Sequence, residues 1–238
     1  MNPSNSDFAE RYSRQTMLGQ LGPEGQLRLA AASVLVVGLG GLGSPVATYL
    51  TAAGIGRIGL CDPDVVSLSN LQRQTLYTAD EVGLPKAECA LRRLRAQSPS
   101  TQFDLHPRGI TPANASDLVE HYDIVADCTD NFATRYLIDD ACERSGRPWV
   151  HGAIGGFTGQ VSVFGHTAGR RYRELYPDRE ALEAIPARAE GVLGALPCVV
   201  GGVMASEVLK IAGGFGQPME GRLFTIDLLT MQTALINF

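Results

Sequence analysis

The stretch SVLVVGLGGLG, residues 33–43, constrains the fold of this chain more than any other. After Ser33 come four apolar residues, three of them β-branched valines, as is typical of a strand buried on both faces of a sheet. Gly38, Gly40 and Gly43 follow at the spacing G-x-G-x-x-G. Such glycines permit a tight turn, and the free N–H groups at the start of the next helix favour an anion. The stretch predicts a nucleotide-binding turn, although a glycine-rich connection without a ligand fits the same letters.

Composition narrows the class of protein. The 238 residues are enough for one large α/β domain, and the five cysteines include no C-x-x-C pair. With a net charge of −5 and scattered basic residues, neither a nucleic-acid groove nor a polybasic membrane anchor is indicated. The N-terminus is polar, and no apolar run reaches the roughly 20 residues that a membrane span requires. We therefore expect a cytoplasmic protein.

An acidic residue follows the glycine turn at the spacing of a ribose-binding carboxylate. Residues 44–54 read as a helix that ends at Gly54, and residues 57–62 read as a second strand that ends in Asp62. Asp62 lies 19 residues beyond Gly43, a position from which a carboxylate can accept hydrogen bonds from ribose hydroxyls. A turn role before Pro63 is the alternative.

A long polar loop separates this strand from the next helix. About twenty polar residues precede a helix that starts near Pro85, and a loop of that length is usually functional. Lys86 falls in the first helical turn, where the helix dipole disfavours a cation unless an anion is present. Arg73 lies 13 residues upstream, so the two charges could clamp one polyphosphate. Two unrelated surface charges remain the alternative.

Another acid follows a buried strand at 123–128. The strand leads into Thr129, Asp130 and Asn131. An acid at the C-terminal end of a parallel strand is well placed to hold Mg²⁺, because hard cations prefer carboxylate oxygens. Asp130 could equally cap the helix that follows, and both roles are compatible.

The pattern changes after Gly155 from alternating strands and helices to mainly strands. We expect residues 1–10 to be disordered and short helical pieces, broken around Gly22-Pro23, to precede the first strand. The closing strands, at 222–227 and 231–238, alternate in a way that predicts antiparallel partners with one exposed face. The predicted fold class is α/β: a Rossmann-like mixed sheet, parallel in its N-terminal part and continued by antiparallel C-terminal strands, with helices on both faces.

Five motifs occur together in this chain. They are RYSRQ (11–15), GLGGLGSP (38–45), DPDVVSLSNLQRQ (62–74), VGLPKAE (82–88) and DCTDNFATR (127–135). Together they resemble the MoeB/ThiF/HesA family, the bacterial relatives of ubiquitin-activating enzymes, over residues 10–230. The resemblance implies a single adenylation domain over 1–238: a helical arm (1–32), a nucleotide-binding part (33–155) and a carrier-binding part (156–238) with a mobile loop at about 166–196.

The resemblance also implies a reaction. The C-terminal glycine carboxylate of a small ubiquitin-like sulfur carrier, of MoaD or ThiS type, attacks the α-phosphorus of ATP and releases pyrophosphate, for molybdopterin, thiamine or related biosynthesis. Asp62 would bind the ribose, Asp130 would bind Mg²⁺, and Arg14 would act in the neighbouring subunit of a homodimer. The other nucleotide-binding residues would be Gly38, Gly40, Gly41, Gly43, Asn70, Arg73, Gln74, Lys86 and Asn131.

Two departures from the family pattern change the expected chemistry. Many members hold zinc on two C-x-x-C pairs, but the segment that resembles the first pair is Arg171 to Glu174, so we predict no zinc. Many also carry a cysteine shortly before a GVLG motif, which is absent before 191–194 here. Cys198 lies nearby, and we expect no nucleophilic role for it. A separate protein is then expected to donate the sulfur.

Other functions share parts of this pattern. A family member could adenylate another carboxylate or a tRNA base. An NAD(P) oxidoreductase would use the same glycine turn but would not explain Arg14, Arg73, Lys86 and Asp130 together. A catalytically silent binding module is the remaining alternative.

Overall fold

The computed structural model describes residues 6–185 and 191–238. Within them, eight strands form one sheet in the order β3-β2-β1-β4-β5-β6-β7-β8. The strands are β1 Ser33–Val37, β2 Arg57–Cys61, β3 Gln102–His106, β4 Ile124–Asp127, β5 Trp149–Gly155, β6 Thr158–Phe164, β7 Arg222–Asp227 and β8 Gln232–Asn237.

Helices flank the sheet on both faces. They are α1 Ser6–Arg11, α2 Ser13–Thr16, α3 Gly22–Ala31, α4 Gly43–Ala53, α5 Lys86–Gln97, α6 Ala115–Glu120, α7 Phe132–Ser145, α8 Tyr172–Leu175, α9 Arg179–Glu183 and α10 Leu196–Gly213. Short 3₁₀ turns occur at Leu68–Asn70 and Ala79–Glu81.

The direction of the strands confirms the predicted fold class. Strands β1 to β5 pair in parallel, and β6, β7 and β8 continue the sheet antiparallel. Because β2 and β4 lie on opposite sides of β1, the chain order reverses there. Open α/β sheets bind ligands at the carboxyl ends of the strands at such a reversal. The glycine turn after β1 and the Asp130 turn after β4 meet at this point.

Two hydrophobic layers enclose the sheet. One contains residues of α4, α5 and α10, and the other contains residues of α6 and α7 around Trp149, Phe164 and Tyr172. By length and composition α10 is apolar enough to cross a membrane, but half of it is buried in the fold, where it packs on α4 and β5.

Several local predictions need correction. Residues 6–11 form α1, so the expected disorder is wrong for residues 6–10, while residues 1–5 lie outside the described part. The predicted break around Gly22-Pro23 lies directly before this pair, between α2 and α3, and the two residues begin α3, because proline suits a first turn. All six residues of β8 are exposed, so the expectation of one buried face is wrong for this edge strand.

The segment 166–196 was expected to be a mobile loop. Residues 186–190 lie outside the described part of the chain. Before them, the Glu220 carboxylate accepts hydrogen bonds from the backbone N–H groups of His166, Thr167, Ala168 and Arg170. Helices α8 and α9 follow, so the first part of this segment has regular structure.

Candidate nucleotide site and adjoining groove

The glycine turn brings the end of β1 against the end of β4. Gly38 has φ +88°, and a Cβ there would lie 2.7 Å from the backbone oxygen of Cys128. A Cβ at Gly43 would lie 1.9 Å from the backbone oxygen of Gly38. Neither position can accept a side chain without moving backbone, so the two glycines fix the close approach of the turn to both neighbours.

A cavity of about 960 Å³ opens above this turn. Most of the predicted site residues line it: Gly38, Gly40, Gly41, Asp62, Arg73, Gln74, Lys86, Asp130 and Asn131. Three others, Gly43, Asn70 and Arg14, are not among the described residues that line it. Gly43 packs against the Gly38 backbone, Asn70 accepts a hydrogen bond from the Arg73 N–H, and Arg14 is exposed on α2.

Asp62 is buried at the end of β2 and is tied to the glycine turn. Its Oδ2 accepts a hydrogen bond from the backbone N–H of Leu39 (2.6 Å), and its Oδ1 accepts one from Asp64 (2.8 Å). A carboxylate has about four acceptor positions, so two remain for a ligand hydroxyl. Burial and the Asp62 charge raise the pKa of the neighbouring Cys61 thiol to about 12.

Asn70 positions the pair that follows it. Its backbone oxygen accepts hydrogen bonds from the N–H groups of Arg73 (3.0 Å) and Gln74 (2.9 Å). Its side-chain oxygen accepts one from the Ser67 N–H (3.3 Å) and closes the 3₁₀ turn. The buried Gln74 Oε1 has no hydrogen-bond partner within the described chain. A buried acceptor without a partner is costly unless a ligand donates to it.

Lys86 begins α5 and is buried, and its ammonium contacts an acid that sequence reasoning missed. Lys86 Nζ lies 3.0 Å from Asp64 Oδ2. The sequence signal was present, since Asp64 falls within DPDVV directly after Asp62. Both Asp64 and Lys86 line the cavity, so the carboxylate holds the ammonium at its wall.

Asp130 is exposed and does not cap α7. That role belongs to Asn131, whose Oδ1 accepts a hydrogen bond from the Thr134 N–H (2.9 Å), so the capping alternative for Asp130 is wrong. The Asp130 carboxylate suits Mg²⁺ chemically. No group of three or more metal-binding side chains occurs among residues 6–185 and 191–238. Magnesium at Asp130 would therefore take its remaining ligands from phosphate and water, as it commonly does.

A second cavity, of about 640 Å³, adjoins the first. Four residues line both: Phe132, Arg135, Ala153 and Ile154. It continues across β6, β7 and β8 past Gly159 and Thr225, and we call it the groove. Sequence reasoning missed Arg135, which lies within DCTDNFATR. Its side chain is 9% exposed, and its Nε has no hydrogen-bond partner within the described chain.

Residues 12–238 match the ThiF family. This chain belongs to the ThiF family. That assignment confirms the resemblance drawn from the five motifs.

Two relatives of this chain have names that describe an enzymatic activity. A sulfur carrier protein adenylyltransferase of Thermus thermophilus is 50% identical to this ThiF family chain over 226 residues, covering 92% of this chain and 83% of that protein. The adenylyltransferase and sulfurtransferase MOCS3 of Mus musculus is 49% identical, covering 91% of this chain and 47% of that protein. This chain therefore spans most of the first relative but about half of the second.

A solved structure shares the fold of this ThiF family chain. The crystal structure of E. coli MccB with ATP has a TM-score of 0.84 and 22% identity, covering 99% of this chain and 72% of that one. At this identity the likeness supports the fold alone.

Proposed function

We propose that this ThiF family protein is an ATP-dependent adenylyltransferase that activates the C-terminal glycine carboxylate of a small ubiquitin-like sulfur-carrier protein. The names of its relatives support adenylation of such a carrier. The observation that carries the proposal is geometric: a cavity lined by the glycine turn, Arg73, Lys86 and Asp130 shares Arg135 with the adjoining groove.

The proposed step needs no protein nucleophile. An oxygen of the carrier carboxylate forms a bond to the α-phosphorus of ATP, the bond from that phosphorus to the bridging oxygen breaks, and pyrophosphate leaves. Two anions must approach each other, so their repulsion has to be neutralised. Arg73 and Lys86 supply fixed positive charge to the phosphates, and Asp62 orients the nucleotide through its ribose. Asp130 would hold Mg²⁺, which adds positive charge at the phosphates.

The groove suits the extended end of a polypeptide. It reaches from the β7–β8 edge to the nucleotide cavity, and Gly155 and Gly159 contribute no side chains to its wall. A Cβ at Gly159 would lie 2.3 Å from Val200 Cγ2 of α10, so the glycine there is required by the packing of α10 behind the sheet. A groove that leads from the sheet edge to the nucleotide cavity can guide the extended C-terminal tail of a carrier to the α-phosphorus of ATP.

We propose that the protein is a homodimer in which Arg14 of one subunit acts at the nucleotide site of the other. Arg14 is exposed on α2 and does not line the cavity of its own chain in the described residues. In the proposed dimer it reaches the phosphates of the partner subunit. Mixing Arg14→Ala with Lys86→Ala chains tests this, because a mixed dimer retains one complete site and regains part of the activity that each variant alone lacks.

The absence of zinc, the separate source of sulfur and the cellular location remain predictions. Arg171 and Arg173, within the segment that resembles a C-x-x-C pair, bond the buried Asp139 instead. We propose a zinc-free protein, a separate sulfur donor and a cytoplasmic location. Elemental analysis of the purified protein tests the first, and a stoichiometric zinc content would contradict it.

The decisive experiment is ATP–pyrophosphate exchange with a ubiquitin-like protein ending in Gly-Gly. Exchange should require the carrier and should fall to background with a carrier that lacks its last two glycines. Asp130→Ala should abolish it, whereas Asp117→Ala, an exposed acid on α6, should not. Exchange without any carrier, or with Asp130→Ala, would overturn the mechanism.

A further inference from the structure

Asp127 and His151 form a buried pair that the proposed reaction does not use. They face each other in the register of β4 and β5, with His151 Nδ1 2.9 Å from Asp127 Oδ2. Neither side chain is exposed. Because a carboxylate only accepts, the imidazole carries its proton on Nδ1 and leaves Nε2 as an acceptor. The hydrogen bond therefore fixes both the tautomer and the ring orientation.

Asp127 shapes the turn that leads to Asp130. Its Oδ1 accepts hydrogen bonds from the backbone N–H of Thr129 (3.0 Å) and from Thr129 Oγ1 (2.6 Å). Arg135 Nη2 donates to the backbone oxygen of Thr129 (2.9 Å). Thr129, the residue directly before Asp130, is thus held from both sides.

The same chain of contacts reaches the groove. Gln160 Nε2 lies 3.4 Å from His151 Nε2 and donates to the Tyr176 hydroxyl. Gln160 and Tyr176 both line the groove, whereas His151 is not among the described residues that line either cavity. His151 can therefore influence the site only through its neighbours.

The surroundings of His151 favour a neutral imidazole whose Nδ1–H donates to Asp127. Burial lowers the pKa of His151, the hydrogen bond to Asp127 partly offsets this, and Arg135 lowers the pKa further. At neutral pH the ring is uncharged, and Asp127 and Arg135 are the opposite charges of the cluster, with Arg135 Nε 3.9 Å from Asp127 Oδ2.

We propose that His151 is a positioning residue for the acid that binds magnesium. Through Asp127 it sets the turn at Thr129 and thereby the direction of the Asp130 carboxylate. The inference rests on the proposed function, since only there does Asp130 bind Mg²⁺. Removing a group that orients a metal ligand typically lowers metal affinity about 10- to 100-fold.

Binding of an ATP analogue with a methylene bridge between the α- and β-phosphorus tests this without catalysis. Isothermal titration is run in Mg²⁺ and in EDTA. For His151→Leu, we expect the dissociation constant in EDTA to stay within about 2-fold of wild type, while the gain in affinity from Mg²⁺ falls about 10-fold. His151→Asn should restore most of that gain, because its amide nitrogen takes roughly the position of Nδ1.

Two further variants separate positioning from packing. Tyr122→Phe removes a buried hydroxyl that bonds Asp104 at the other end of the sheet, and it should leave the Mg²⁺ gain unchanged. Thr129→Val removes the hydroxyl bond to Asp127 and keeps the backbone N–H bond, so it weakens the same path without altering the core at His151. It should lower the gain even if His151→Leu does not fold.

The outcomes distinguish the two proposals. A wild-type gain in folded His151→Leu, or in Thr129→Val, overturns the positioning role and leaves the nucleotide site intact. Failure of His151→Asn to recover above His151→Leu also contradicts it. If the wild-type protein binds no analogue in either buffer, the proposed function is wrong and this inference fails with it.

Discussion

Lys86 Nζ lies 3.0 Å from Asp64 Oδ2, and the two side chains differ sharply in exposure, at 6% for the lysine and 67% for the acid. The ammonium is buried, while water screens the carboxylate that faces it. A pair with one exposed partner contributes at most about 1 kcal/mol. Asp64 therefore orients Lys86 without neutralising it fully, and the positive charge is left for an anion in the cavity.

Lys86→Ala should lower carrier-dependent pyrophosphate exchange at least about 100-fold, the usual effect of removing one group that stabilises transition-state charge. Asp64→Asn should lower it within about 5-fold, and less at high salt, because that partner is exposed. Arg93→Ala removes an exposed cation from the same helix and serves as the control. A Lys86→Ala enzyme that keeps more than a tenth of the activity would contradict the assignment.

Gly43→Ala tests the turn itself. The added methyl would lie 1.9 Å from the Gly38 backbone oxygen, so backbone must move. We expect a loss of at least about 2 kcal/mol in the free energy of unfolding, measured by urea denaturation. Gly202→Ala, inside α10 where a Cβ meets nothing within 4 Å, should instead stabilise by about 0.5–1 kcal/mol. Equal effects of the two changes would refute the steric explanation.

The features that the sequence predicted well are local ones. Gly38 and Gly43 follow a β-branched run, and Asp62 ends the next strand, so spacing alone places them at one edge of the sheet. The capping choice between Asp130 and Asn131 was not predictable in this way, because both residue types cap helices and only backbone geometry separates them.

Contacts between residues that are far apart in the chain could not be predicted from the sequence. Asp127 and His151 are 24 residues apart and meet only because β4 and β5 are neighbours in the sheet. Arg135 reads as one more polar residue in α7 until its burial is known. The exposure of β8 likewise depends on its place at the sheet edge, which its alternating pattern did not reveal.

Asp139→Asn tests the ion pairs that hold the start of the segment 166–196. Asp139 is fully buried in α7, and it accepts hydrogen bonds from Arg171 and Arg173. Removing one partner of a buried pair costs about 3–5 kcal/mol, and the partial exposure of both arginines favours the lower value. A loss of about 3 kcal/mol lowers Tm by about 6–12 °C in a chain of this size.

Asp140→Asn is the matched control for that change. Asp140 is the next residue in α7, its side chain is 26% exposed, and it pairs with Arg173 and Arg179. It should cost no more than about 1 kcal/mol by thermal unfolding. Equal shifts for the two variants would show that burial does not set the cost.

Thiol labelling at neutral pH should modify one cysteine quickly. Cys198 is exposed, whereas Cys61, Cys89, Cys128 and Cys142 are buried. Burial and Asp127 raise the pKa of Cys128, which further slows its reaction. Cys198→Ser should remove the fast reaction and leave pyrophosphate exchange unchanged, since adenylation needs no thiol. A large loss of exchange would reopen a role for Cys198.

The titratable groups that lie around His151 in the described chain are Asp127, Arg135, Tyr172 and Tyr176. Burial keeps the ring neutral, Asp127 favours the charged form, and Arg135 opposes it. Tyr172 and Tyr176 pack on the ring with centroids 5.1 and 6.4 Å away. The net result is a pKa below the ordinary value of 6.5 in the folded state.

The free energy of unfolding should therefore fall as pH drops below about 6.5. In that range His151 binds a proton in the unfolded chain but stays neutral in the folded one, which gives a slope of up to about 1.4 kcal/mol per pH unit. Emission of Trp149, the single tryptophan, 6.0 Å from His151 between ring centroids, reports the denaturation. His151→Asn should reduce the slope between pH 6.5 and 5.5, while leaving the part due to His106, whose pKa burial also lowers. His121→Gln, at an exposed position, should keep the wild-type slope. An unchanged slope in His151→Asn would mean that His151 binds its proton equally in the folded and unfolded states over this range, which would contradict a lowered pKa.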